Sequence, residues 1–166
     1  TEGHETGDRL LQQVATRLLE CVEANQMVAR LGSDEFVVLL DHLGSSEMEA
    51  IPQLEKTAKY ILQTLTQPYF LADSEYHNSA SIGISLFGIE ACENIQDPIK
   101  RADMALSDAK NYGRNTYRFF DPEIQSQVQE RAEIDTGLRQ ALEKNQLVLY
   151  YQPQVNGAQQ VTGVEA

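Results

Sequence analysis

Basic charge is scarce in this 166-residue chain: 13 Lys and Arg stand against 25 Asp and Glu, a net charge of −12. A face that grips DNA or RNA needs a surplus of Lys and Arg against phosphate, so nucleic-acid binding is disfavoured. An acidic protein that binds a nucleotide usually enlists a divalent cation to neutralise the phosphates. Cysteine is scarce as well. Cys21 and Cys92 form neither a CxxC nor a metal-ligand spacing, which fits a reduced, cytoplasmic compartment. No apolar run reaches the roughly 20 residues that span a bilayer. The polar start Thr1-Glu2-Gly3-His4-Glu5 lacks the basic segment of a secretory signal, and without an initiator Met it reads as a piece of something longer.

What is present suits a folded domain. Apolar residues make up 42% of the chain and charged ones 23%, enough for a core and against general disorder. Apolar positions Leu10, Leu11, Val14, Leu18, Leu19 and Val22 recur at helical spacing over 6–23, with Thr6 or Asp8 as a cap. Two β-branched runs, 27–31 and 36–41, flank Gly32-Ser33-Asp34 and predict a hairpin. A second amphipathic helix is expected over 45–66, strands over 69–71 and 78–87, and a helix over 97–112 with Gly113 past its end. Then come a short strand over 116–120 and a long polar helix over 122–144, interrupted by Gly137. Strands over 146–155 and 160–164 follow, joined by the Asn156-Gly157 turn.

The chemistry concentrates in Arg30-Leu31-Gly32-Ser33-Asp34-Glu35-Phe36. Two adjacent carboxylates stand at a hairpin tip, just after small residues. Carboxylate oxygens hold hard cations, and small residues let a nucleotide approach the backbone. By itself such a string is more often an acidic surface turn.

The string resembles the signature of the GGDEF, or diguanylate cyclase, family, and three further stretches match that family in order. Gly3-His4-Glu5-Thr6-Gly7-Asp8 is similar to its GHxxGD motif, and Ser81-Ile82-Gly83-Ile84-Ser85 to its core strand. Arg101-Ala102-Asp103-Met104-Ala105-Leu106, with Ala109-Lys110 and Gly113-Arg114-Asn115, is similar to its late helix and the turn after it. Further on, Leu149-Tyr150-Tyr151-Gln152-Pro153-Gln154 and Gly163-Val164-Glu165-Ala166 resemble the opening of an EAL phosphodiesterase domain of bacterial cyclic di-GMP signalling. The resemblance divides the chain into a GGDEF domain over 1–120, a linker helix over 121–137 and the start of an EAL domain over 138–166.

The resemblance implies an α/β (α+β) fold: a cyclase-like palm with a mostly antiparallel central sheet flanked by helices. It implies that two GTP molecules, held by two copies of the domain in a homodimer, condense to cyclic di-GMP with Mg²⁺ or Mn²⁺. Glu35 would hold the metal, and Asp34 would serve the 3′-hydroxyl as base or positioner. Gly32 and Ser33 would lie against the nucleotide, Asp8 would read guanine, and Lys110 and Arg114 would hold the terminal phosphates. On the EAL side, Glu165 would be a metal ligand and Gln152 a contact to cyclic di-GMP.

Departures are also expected to matter. The family's second signature glycine is Ser33 here; at a turn position needing positive φ, serine costs about 1 kcal/mol or more. Glu23 and Gln26 stand where the family's product-inhibition Arg and Asp would be, so no such brake is expected, and Ser107 replaces a usual tyrosine. The family's first strand, with a second metal ligand, would precede Thr1. The chain alone is therefore expected to catalyse neither reaction, with the apolar stretch 147–151 or a second copy filling the gap in the sheet. The alternative reading is a degenerate GTP-binding module that regulates the EAL phosphodiesterase.

Overall fold

A computed structural model describes residues 2–71, 74–88 and 96–165; Cys92 lies outside them. Residues 1–125 form one compact unit and 126–166 a second.

The first unit opens with α1 (Glu2–Glu20), then β1 (Met27–Arg30) and β2 (Phe36–Leu39). The helix starts four residues before the expected Thr6, so Asp8 lies inside it, in its second turn, and caps nothing. The hairpin forms as its β-branched runs predict, antiparallel with Met27 opposite Leu39 and Arg30 opposite Phe36. α2 (Glu47–Thr66) follows, with Ser46 in the extended backbone of a cap but its hydroxyl unused. The entry is closed instead by Glu49, whose Oε2 accepts the Ser45 backbone N–H at 2.8 Å and its hydroxyl at 3.3 Å. Pro52 sits in the second turn without ending the helix.

α1 and α2 meet through Leu18, Ile61 and Leu65, each buried, and Val14, Cys21, Val28, Phe36, Val38, Ala80 and Ile82 pack around them. One guanidinium ties the far end together. Arg17 donates from Nη1 to the carbonyls of Thr64 (3.1 Å) and Gln67 (2.6 Å), and from Nη2 to that of Pro68 (2.5 Å). These carbonyls lie at and just past the C-terminus of α2, where the helix ladder runs out; that of Thr64 also accepts the Gln67 N–H at 3.3 Å. Arg17 also lies 3.7 Å over the ring of the fully buried Tyr69, a cation–π contact. Burial pushes the Tyr69 phenol up from its ordinary range.

β3 (Tyr69–Leu71) pairs antiparallel with β4 (Ser74–Tyr76), a polar strand that the sequence pattern does not signal. β5 (Ile82–Ile84) is shorter than the expected 78–87 and pairs in parallel with β6 (Tyr117–Phe119). Between them runs α3 (Gln96–Asn111). Gly83 is where this helix touches the strand. A Cβ there would stand 2.0 Å from the Ala102 carbonyl oxygen and 2.4 Å from the Leu106 nitrogen, so only glycine fits. α3 ends as expected: Gly113 takes φ 115°, and the Arg114 N–H reaches back to the Ala109 carbonyl at 3.2 Å, a Schellman closure. Tyr117 donates its hydroxyl to Glu55 Oε1 at 2.7 Å, joining β6 to α2. Burial first, then that carboxylate, push its phenol well above the usual tyrosine range.

α4 (Pro122–Glu143) is capped by Asp121, whose Oδ1 accepts the Glu123 N–H at 2.8 Å. It runs through Gly137 unbroken, where the sequence pattern suggested an interruption. In the second unit, β7 (Gln152–Val155) pairs antiparallel with β8 (Val161–Glu165), with a register shift at Gln154/Val155. The Asn156 carboxamide oxygen accepts the N–H of Ala158 and of Gln160, each at 3.0 Å, which fixes the expected turn. The stretch 147–151, expected as part of a strand, is not one, and its residues are exposed, Tyr150 at 85%. Among the described residues the strands thus form four two-stranded ladders, three of them antiparallel. No helix of the described residues is long and apolar enough to cross a membrane.

Candidate functional site

The hairpin brings Gly32, Ser33, Asp34 and Glu35 together in a five-residue tip, 31–35, closed by the Leu31 N–H donating to the Glu35 carbonyl at 2.9 Å. All four of those side chains or backbones are exposed. Two short β-branched strands hold the ends of the tip in register, so its position follows from the half-buried face they rest on the core.

The expected strain at Ser33 does not arise. Neither Gly32 nor Ser33 is among the positive-φ residues, so serine costs no backbone energy here. Its hydroxyl instead donates to Asp34 Oδ1 at 3.0 Å. Gly32 is equally unforced: a Cβ would meet only Glu35, at 3.6 Å or more, an ordinary contact. Neither backbone nor packing calls for glycine at the tip, unlike at Gly83. Arg30, which sequence spacing did not single out, folds its guanidinium over the tip. Nε donates to the Gly32 carbonyl at 2.9 Å and Nη2 to that of Ser33 at 2.7 Å.

Asp8 lies on exposed α1 surface. One helical turn further, Leu11, Gln12, Ala15 and Leu19 line a cleft whose other wall is Val28, Arg30 and Phe36 of the hairpin. The helix of Asp8 and the root of the tip therefore share one mostly apolar groove. Lys110 and Arg114 are exposed at the C-terminal end of α3, with Arg114 and Asn115 at φ 61° and 49°. They stand on a different element from the tip. Gln152 and Glu165 face each other as cross-strand partners on β7 and β8, in the second unit.

Among the described residues no three His, Cys, Asp or Glu side chains converge on a point that could hold a metal by themselves. Asp34 and Glu35 are two adjacent, solvated carboxylates, a donor set that suits Mg²⁺ when phosphate oxygens and water complete the shell. His42 and His77 are surface residues beside Asp41 (3.6 Å) and Glu75 (3.1 Å).

The family model "Diguanylate cyclase, GGDEF domain" matches residues 1–116. The chain is 38% identical over 164 residues to the cyclic di-GMP phosphodiesterase PdeR of Escherichia coli, covering 99% of this chain and 24% of that protein. It is 39% identical over 167 residues to the bifunctional diguanylate cyclase/cyclic di-GMP phosphodiesterase MucR of Pseudomonas aeruginosa, covering 99% and 23%. The chain thus spans about a quarter of the length of these relatives. The solved structure of a delta-N mutant of TpbB (YfiN) from Pseudomonas aeruginosa, comprising only its GGDEF domain, superposes with a TM-score of 0.63 at 31% identity, over 76% of this chain and 71% of that one. With the family model covering well over half its length, the chain belongs to the GGDEF, or diguanylate cyclase, domain family.

Proposed function

We propose that this chain binds GTP with a divalent cation at the tip of the β1–β2 hairpin. In its whole protein, it would serve the condensation of two GTP molecules to cyclic di-GMP. The carrying observation is the tip itself: two solvated carboxylates beside a glycine that neither backbone nor packing requires. A glycine without a structural reason is accounted for by a ligand that comes close to it.

In this reading Glu35 holds Mg²⁺ or Mn²⁺, which would neutralise phosphate charge and favour attack at the α-phosphorus. Asp34 accepts a hydrogen bond from the 3′-hydroxyl of a GTP and orients it. Gly32 and Ser33 lie against the ribose and phosphates. Asp8 takes the N–H groups of a guanine edge at the end of the α1–hairpin groove. Lys110 and Arg114 neutralise the terminal phosphates; neither has an ion-pair partner among the described residues. Each domain presents one GTP, so turnover needs two copies facing each other. The work of the protein is then placement and charge neutralisation. By the same resemblance, β7 and β8 open a phosphodiesterase domain, with Gln152 on cyclic di-GMP and Glu165 on a metal. The match of phosphodiesterase relatives over 99% of the chain supports this.

A second reading has its own observation. Ser33 already occupies one oxygen of Asp34, which favours a domain that holds GTP and regulates its neighbour without turnover. Incubating the whole protein that carries this domain with GTP and Mn²⁺ separates the two, with bound nucleotide and cyclic di-GMP both measured. Metal-dependent GTP binding that falls at least tenfold in Glu35→Gln is expected under both. Product that vanishes in Glu35→Gln supports the cyclase, and binding without product supports the regulator. No GTP binding at all refutes both.

A further inference from the structure

We infer that Arg30 is a positioning residue for the metal and nucleotide, acting through the hairpin tip; this rests on the GTP reading above. Something must fix the conformation of residues 31–35, and backbone preference does not: no residue of the tip takes a positive φ. A glycine-bearing hairpin tip of that kind is free to rearrange in solution. The bonds that define it are few. One is the Leu31–Glu35 backbone closure, and one is the Ser33–Asp34 contact between neighbouring side chains. The remaining two both come from Arg30, at 2.9 and 2.7 Å, to successive carbonyls.

A planar guanidinium delivers those two bonds in one fixed geometry, and the other end of Arg30 is anchored by the β1 pairing opposite Phe36. Two consequences follow for an anionic ligand. The carbonyl oxygens of Gly32 and Ser33, which repel phosphate, are turned onto a cation. The carboxylates of Asp34 and Glu35 then leave the tip from a fixed backbone. Arg30 also lines the groove that runs back along α1, so the clamp lies between the two parts of the proposed GTP site. Lysine keeps the charge but cannot make the fork; glutamine offers two N–H donors from a single nitrogen on a shorter side chain and carries no charge.

Arg30→Lys and Arg30→Gln are compared with the unchanged chain by calorimetric titration with GTP and Mn²⁺ and by amide hydrogen exchange at Leu31. The expected result is affinity for Mn²⁺–GTP at least tenfold weaker in both variants, with Leu31 exchanging at least fivefold faster and the urea midpoint unmoved. Lysine restoring affinity to within twofold overturns the inference, since charge alone would then suffice. Unchanged Leu31 exchange in both variants overturns it too. If the unchanged chain fails to bind Mn²⁺–GTP, the proposed function falls, while the exchange comparison still decides whether Arg30 holds the tip.

Discussion

The β1–β2 and β7–β8 hairpins are both antiparallel and of similar length, and they differ in what lies beneath them. β1–β2 lays Val28, Phe36 and Val38 against Leu18, Ile61 and Leu65, and carries an organised acidic tip. β7–β8 pairs too, with one register shift at Gln154/Val155, yet nearly every residue of both strands is exposed, Val155, Val161 and Val164 included. Backbone pairing and a good turn suffice to form a hairpin; placing a side chain for chemistry takes a packed face beneath it. That is why the Asp34–Glu35 pair is the better placed candidate, compared with Gln152 and Glu165, although these also stand opposite each other.

The comparison can be broken where the packing is tightest. Gly83→Val drives a side chain into the α3 backbone, and should cost at least about 3 kcal/mol. Urea unfolding would show this as a lower midpoint for the first unit, with the β7–β8 amide signals unmoved. Arg17→Met removes three bonds to carbonyls at and just past the end of α2, and is expected to cost about 2 kcal/mol in the same measurement.

Alkali probes the first unit through Tyr117, whose phenol is held neutral by burial and by Glu55. The folded state keeps the proton where the unfolded chain gives it up. Stability is therefore complete below about pH 10 and falls as pH rises beyond it. Tyr117→Phe should remove about 1 kcal/mol of that loss at pH 11 relative to pH 8, read from urea midpoints. The smallest effect is expected in the second unit: Val164→Ala, at an exposed strand position, should change stability by less than about 0.5 kcal/mol. A larger loss would mean that β7–β8 is packed in solution.

Much of the first unit was legible because its signals are local. β-branched runs around Gly32-Ser33-Asp34 are enough for the hairpin, and Gly113 is enough to end α3. Thr6 or Asp8 was expected to cap the first helix, but α1 begins at Glu2 and takes in Gly3 and Gly7, at a propensity cost of about 1 kcal/mol each. The apolar stretch 147–151 looked like strand; β8, with five residues, pairs only with 152–155, and an unpartnered run has no ladder to join. At the candidate site, residue types were legible and their support was not. Nothing in the spacing of Arg30 announces that its guanidinium bridges two carbonyls. Ser33 was expected to strain a left-handed turn that the tip does not use.

The account stands on the claim that a metal-bound nucleotide gathers at residues 31–35. Mn²⁺ is paramagnetic and erases the signals of nearby amides, so titrating Mn²⁺ with GTP into ¹⁵N-labelled protein maps the ion directly. The account predicts loss of the Gly32–Glu35 amide signals first, with those of β7 and β8 intact, and no such loss in Glu35→Gln. Broadening centred on Glu165, or none at the β1–β2 tip with GTP present, would contradict it.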